Sequence, residues 1–144
     1  MLCAAELLMM KEKAEKDWEK EQERLNAECA LEFIEIVENT IKFCEEKIGK
    51  DLEEKAEKRL ALEVNYRINI YCDRLGNKLF KLVQLDTVRY ADGTPSYSSK
   101  GNSYSVVALE EFLQSYCYKI EYKEGSYREY GSGYCSCSNL IITI

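Results

Sequence analysis

The sequence predicts an α+β fold: a long N-terminal helix packed on a small, mainly antiparallel sheet with one further short helix, in the order α(α)ββαββ. Three observations carry this reading. From about residue 3 to Ile48 the chain has neither Pro nor Gly and consists mostly of strong helix formers. At Leu62 the apolar period switches from helical to two. The chemistry switches at the same place: Met1–Val64 holds 11 Lys/Arg against 18 Asp/Glu and no Tyr, whereas 65–144 holds 9 against 8 and all 11 tyrosines.

Gly49 offers the left-handed position that commonly closes a helix, with Lys47 favourably placed against the dipole. A single helix of about 45 residues would be roughly 68 Å long. That is far more than a compact chain of this length spans, since its radius of gyration is about 15 Å. The apolar stripe changes width along it. It is narrow over Leu7, Met10, Ala14, Trp18 and Leu25, then broad over Cys29, Ala30, Phe33, Ile34, Val37, Ile41, Cys44 and Ile48. A broad stripe suits covering a sheet and a narrow one suits a partner helix. The expected organisation is therefore a long acidic helix over 1–50, with 1–24 a projecting arm and 25–48 docked on the sheet, followed by a Tyr-rich α+β domain over 51–144.

Asp51 and Glu54 have the spacing of a capping box for a short second helix to about Leu60. Leu62, Val64, Tyr66, Ile68, Ile70 and Cys72 then alternate with polar residues, which predicts a half-buried strand. Asp73 to Asn77, containing Gly76, reads as a hairpin loop, with Leu79 to Tyr90 returning. Ala91 to Ser103 holds the only Pro and reads as a loop longer than a hairpin needs. Val107 to Cys117 is a short amphipathic helix burying Leu109, Phe112 and Leu113. Tyr118 to Lys123 and Leu140 to Ile144 are strands, separated by Gly125 and the Gly/Ser-rich stretch Tyr130–Tyr134.

Composition removes several classes of function. The 7 cysteines are odd in number and spread over predicted helix and strand, unlike a secreted disulfide framework, so reduced thiols in the cytoplasm are expected. No apolar run reaches the roughly 18 residues that span a bilayer, and the apolar start, interrupted by Glu6, lacks the basic region of a signal peptide. Histidine is absent, which removes the usual general base and the commonest metal ligand. With a net charge of −6 and no basic cluster, direct binding of nucleic acid is not expected.

The remaining motifs each have a plain alternative. Cys135 and Cys137 alternate on a strand, where two thiolates would need Cys72 and Cys117 to complete a zinc set, or simply pack. Glu121-Tyr122-Lys123 has the E-x-K form of metal-dependent nucleases, with Asp86 or Asp92 as the upstream acid; equally, Lys119, Glu121 and Lys123 are the solvent face of a strand. Gly131-Ser132-Gly133 lacks the strand and helix that a phosphate loop needs. No cofactor and no metal are expected.

Partner-binding residues are the better lead. Tyr127, Arg128, Tyr130 and Tyr134 sit among Gly and Ser, the composition of a recognition loop, and Tyr97 and Tyr104 lie at or near the tip of the long loop. The alternative is that tyrosines cover half-buried strand edges. Trp18 either packs against another helix in a coiled coil or anchors a different protein. The acidic helix suits the basic groove of a nucleic-acid-binding effector; its narrow stripe also suits a second copy and hence a homodimer.

With its charged helix, compact Tyr-rich domain, cysteines without histidine and no catalytic signature, the chain resembles small acidic proteins of bacteriophages and mobile elements, of the anti-CRISPR or anti-defence type. The resemblance is compositional and transfers no residue roles. It implies a non-catalytic protein that binds and blocks a host defence nuclease in the host cytoplasm. Two other classes stand beside it: a small-ligand binder that stacks a nucleotide between tyrosines, and a metal-dependent nuclease using Glu121 and Lys123.

Overall fold

The fold was read from a computed structural model that describes the backbone of residues 1–83, 87–89, 95–97, 102–129 and 133–144, and the side chains of 1–83, 102–126 and 136–144. By contacts the chain divides into two units, Met1–Glu35 and Ile36–Ile144, a division that falls inside the stretch expected to dock, 25–48. One helix, α1 (Ala4–Phe43), supplies all but the first three residues of the first unit and the start of the second.

In Met1–Glu35 no residue is buried. Helix α1 is closed at its start by Glu6, whose carboxylate accepts the Cys3 amide N–H at 2.8 Å. This is half of a capping box, and that bond holds the Glu6 carboxyl below its ordinary range. Further along, Arg24 bridges Glu21 and Glu28, each at 2.6 Å, one turn before and one after it.

In the second unit the helical chain does not stop at Gly49. Residues Cys44–Gly49 form a π turn and run directly into α2 (Lys50–Glu57). Gly49 has φ −58, an ordinary right-handed value, so the expected left-handed stop there is wrong. The buried positions explain why. Thr40, Cys44, Ile48 and Leu52 are all buried and recur every four residues. A four-residue step over-rotates an α-helix by about 40°. The wider i→i+5 turn takes up the drift and keeps Cys44 and Ile48 on the core face. With no break there is no free first turn for Asp51 and Glu54 to cap. Instead Asp51 faces Lys47 and Glu54 takes Lys58. The actual stop is Arg59 at φ 57. There the Leu60 N–H reaches the Lys55 carbonyl and the Arg59 N–H reaches Ala56, a Schellman closure.

Five strands form one antiparallel sheet in the order β5-β2-β1-β7-β6: β1 Glu63–Cys72, β2 Lys78–Leu82, β5 Ser103–Ser105, β6 Lys119–Glu129 and β7 Gly133–Thr143. This is the α+β architecture predicted. The β1–β2 loop is a type I turn: the Gly76 N–H bonds the Asp73 carbonyl at 3.1 Å, and Gly76 takes the left-handed position at φ 80. The Asp73 side chain accepts the Leu75 and Asn77 amides.

Several strand boundaries depart from the sequence expectation. The single returning strand expected over 79–90 is two. After β2 ends at Leu82, β3 (Thr87–Arg89) pairs with β4 (Pro95–Tyr97) in a separate two-stranded sheet. Residues 95–97, expected as loop, are therefore strand. The terminal hairpin is also longer than expected, because its Gly and Ser residues pair through the backbone: Gly125 with Cys137 and Ser126 with Ser136. A Cβ on Gly125 would come within 2.8 Å of the Asn139 amide nitrogen, so glycine there makes room for a side chain on the neighbouring strand.

The core lies between the helices and one face of this sheet. Val64, Ile68, Phe80, Leu140 and Ile142 pack with Phe43, Ile48 and Leu52, and with Val106, Leu109 and Leu113 of α3 (Val106–Ser115). One buried polar pair joins the layers. Thr40 donates to the Ile36 carbonyl at 2.7 Å and accepts the Ser105 backbone N–H at 2.8 Å. The Ser105 hydroxyl in turn caps α3 by accepting the Ala108 N–H. Helix α3 closes on a second Schellman motif with Cys117 left-handed at φ 64.

Candidate functional site

The expected partner-binding residues fall into three groups. Trp18 is on α1, 65% exposed, in the unit that buries nothing. Leu2, Leu7, Leu8, Met9, Met10, Leu25, Leu31 and Ile34 of the same unit are also exposed. Nothing in Met1–Glu35 covers this apolar set, and the segment carries 5 Lys/Arg against 10 Asp/Glu. Arg24 lowers the Glu21 carboxyl through their hydrogen bond, which keeps that carboxylate charged at any physiological pH.

Tyr104 is not a free ring. It stacks on Phe80 at a centroid distance of 5.1 Å and lies 5.1 Å from Phe43, so it closes the core. Three other tyrosines also work for the fold. The Tyr66 hydroxyl donates to Asp51 at 2.5 Å and the Tyr122 hydroxyl to Glu110 at 2.9 Å, each tying a strand to a helix. Tyr71 bonds Ser103 across the strands beside β2. Burial, aided by the paired carboxylates, pushes the phenols of Tyr66 and Tyr122 well above their ordinary values.

The third group is placed by backbone alone. Tyr127 pairs with Cys135 and Arg128 with Tyr134, so register brings Tyr127, Arg128 and Tyr134 to one end of the β6–β7 hairpin, on paired strand and not in a loop. Tyr97 is on β4, opposite Thr87. Their side chains, and all of Tyr130, lie outside the described residues.

Glu121 and Lys123 stand on the exposed face of β6, 3.8 Å apart, while Ile120 and Tyr122 pack inward. Asp86 and Asp92 are outside the described residues, as is the Cys135 side chain; Cys137 is buried. Among the described residues no three His, Cys, Asp or Glu side chains converge as metal ligands. No helix among the described residues is long and apolar enough to cross a membrane.

Sequence reading missed the π turn, the Thr40–Ser105 pair and the cleft beside Gly49 described below. Only the four-residue spacing of Thr40, Cys44, Ile48 and Leu52 signalled any of them. No protein-family model, curated protein or solved structure matches the chain.

Proposed function

We propose that this chain is a non-catalytic protein-binding module whose N-terminal helix docks into a basic groove of another protein, acting in the cytoplasm as an inhibitor of a nucleic-acid-binding defence nuclease, in the manner of phage anti-CRISPR proteins. One observation carries the reading. Over Ala4–Glu35, eight large apolar side chains are exposed on a helix with twice as many acidic as basic residues. Exposed large apolar side chains gathered on one element suit an interaction site, and the carboxylates among them favour a partner of opposite sign. A second copy of the same acidic helix would set like charge against like, so a basic partner fits better than self-pairing. Trp18 is the natural anchor, because a large amphipathic ring buried at the centre of an interface contributes most of its energy.

Trp18 is also the only tryptophan, so its fluorescence reports this surface directly. Titrating a purified guide-RNA nuclease complex into the full chain should blue-shift the emission and give a stoichiometric complex by light scattering. Trp18→Ala should weaken that complex by about tenfold or more, the range of an interface hot spot. Emission that stays water-like with every such effector, or binding indifferent to Trp18→Ala, would end the proposal. A blue shift that depends only on the chain's own concentration would assign the helix to a homodimer instead.

A further inference from the structure

From the cleft between the π turn and the end of α3 we infer that the second unit holds a socket for one arginine side chain of a protein partner. This rests on Ile36–Ile144 alone and does not depend on what the N-terminal helix binds.

The cleft has a volume of about 280 Å³. Pockets for cofactors and drug-sized ligands run from roughly 300 to 1,000 Å³, so this one suits a single side chain. Its wall on the α3 side is aromatic: Phe112, Tyr116 and Tyr118 line it, with the Phe112 and Tyr116 rings 5.1 Å apart. Tyr116 is 63% exposed, far more than a ring recruited for the core. The helical side carries Glu45 and Glu53. Neither has an ion-pair partner among the described residues, and no Lys or Arg lines the cleft. Aromatic faces together with unpaired carboxylates are the complement of a guanidinium, which stacks on rings and forks onto carboxylates at once.

Gly49 supplies the argument that the cleft is kept open for something. It lies inside a continuous helical run with a right-handed φ, where glycine is the poorest choice short of proline. The fold does not require it: a Cβ there would meet only the Cys44 carbonyl, at an ordinary 3.5 Å. Gly49 also lines the cleft. A residue that weakens the helix, is not needed by the backbone and leaves bare main chain in a pocket fits a place where a partner's side chain lies close against the backbone.

The test is an NMR titration of the full-length protein with an acetyl-Gly-Arg-Gly-amide peptide, beside its uncharged citrulline analogue. The expected result is saturable shifts converging on the Gly49 amide and the Tyr116 and Tyr118 rings, absent with citrulline. The Glu45→Gln/Glu53→Gln double variant should weaken the peptide roughly fivefold, the value of two exposed charge pairs. Gly49→Ala should raise the melting temperature yet weaken the peptide, separating binding from folding. Shifts that scatter over the acidic helix, an affinity unchanged by the double variant, or a Gly49→Ala protein that binds as well as the parent would each overturn the assignment.

Discussion

Replacing Thr40 by Val is the most direct test of how the helical and sheet layers are joined. Thr40 is 0% exposed and Ser105 1% exposed, so no solvent can replace a lost partner. Valine keeps the shape of threonine but removes the oxygen that accepts the Ser105 N–H at 2.8 Å. The Ile36 carbonyl, which also receives the Thr40 hydroxyl, retains the helix's own backbone bond and loses little. The orphaned Ser105 amide therefore dominates, and a buried unpaired donor costs about 1–3 kcal/mol. Thr40→Ser keeps the oxygen and deletes one buried methyl, for about 1 kcal/mol. Thr40→Ala suffers both losses, for about 3 kcal/mol together. Urea unfolding followed by far-ultraviolet circular dichroism should rank the variants Ser, Val, Ala in order of increasing damage. The Val variant should melt on the order of 6–10 °C below the parent. A Val variant as stable as the parent would show that the Ser105 amide is satisfied elsewhere and that Thr40 serves only as a filler.

Both helix stops place a side chain in the left-handed region, which costs roughly 1–2 kcal/mol for an L-residue. Arg59→Gly and Cys117→Gly should each therefore raise the unfolding free energy, by about 1 kcal/mol in urea titrations, less glycine's own flexibility in the unfolded chain. Conversely Gly76, left-handed in the β1–β2 turn, should tolerate alanine poorly, with a loss of about 1 kcal/mol although nothing crowds the new methyl. Burial first, then the Asp51 and Glu110 carboxylates, raises the Tyr66 and Tyr122 phenols in the folded state. Their contribution is complete below the ordinary phenol value near 10 and is lost as pH rises beyond it, so stability should fall above pH 10 and the fall should be shallower in Tyr66→Phe/Tyr122→Phe. Burial also pushes the Cys44 thiol up to about 12, so this cysteine should react with thiol reagents far more slowly than exposed Cys3, Cys72 and Cys117.

Where periodicity was long and uninterrupted, the fold was legible. The run of helix formers, the alternation from Leu62 to Cys72 and the 106–115 helix all appear within a few residues of where the pattern puts them. What stayed hidden was decided by partners distant in sequence. The terminal hairpin reads as loop because Gly125, Ser126, Ser136 and Ser138 carry no strand propensity; their strand continues the pairing of Lys119–Tyr122 with Leu140–Thr143, which β1 holds in the core. Gly49 reads as a stop because local rules favour it, and burial of Ile48 and Leu52 overrides them. Thr40 carries no local signal, since its reason for being there is Ser105, 65 positions away. The tyrosines divided in a way composition had no means to forecast: Tyr66, Tyr104 and Tyr122 serve the core.

The exposed apolar surface of the N-terminal helix sharpens what a partner must be. A helix in water needs about 12–15 residues to become even marginally stable, and α1 has 40, the last of them anchored by Thr40 and Phe43. Arg24 with Glu21 and Glu28, and Lys11 with Glu15, add turn-to-turn support that needs no tertiary packing. The segment is thus folded before it meets anything, and a partner that receives it bears little of the ordering cost that weakens disordered ligands. Its apolar residues, by contrast, gain nothing within Met1–Glu35, while most of the large exposed apolar side chains among the described residues are gathered there. On the proposed reading, a preformed rod with a tryptophan in its middle and carboxylates on its flanks would meet a complementary groove, its exposed apolar side chains supplying affinity and its charges favouring a basic partner over an acidic one, a second copy of the same helix included.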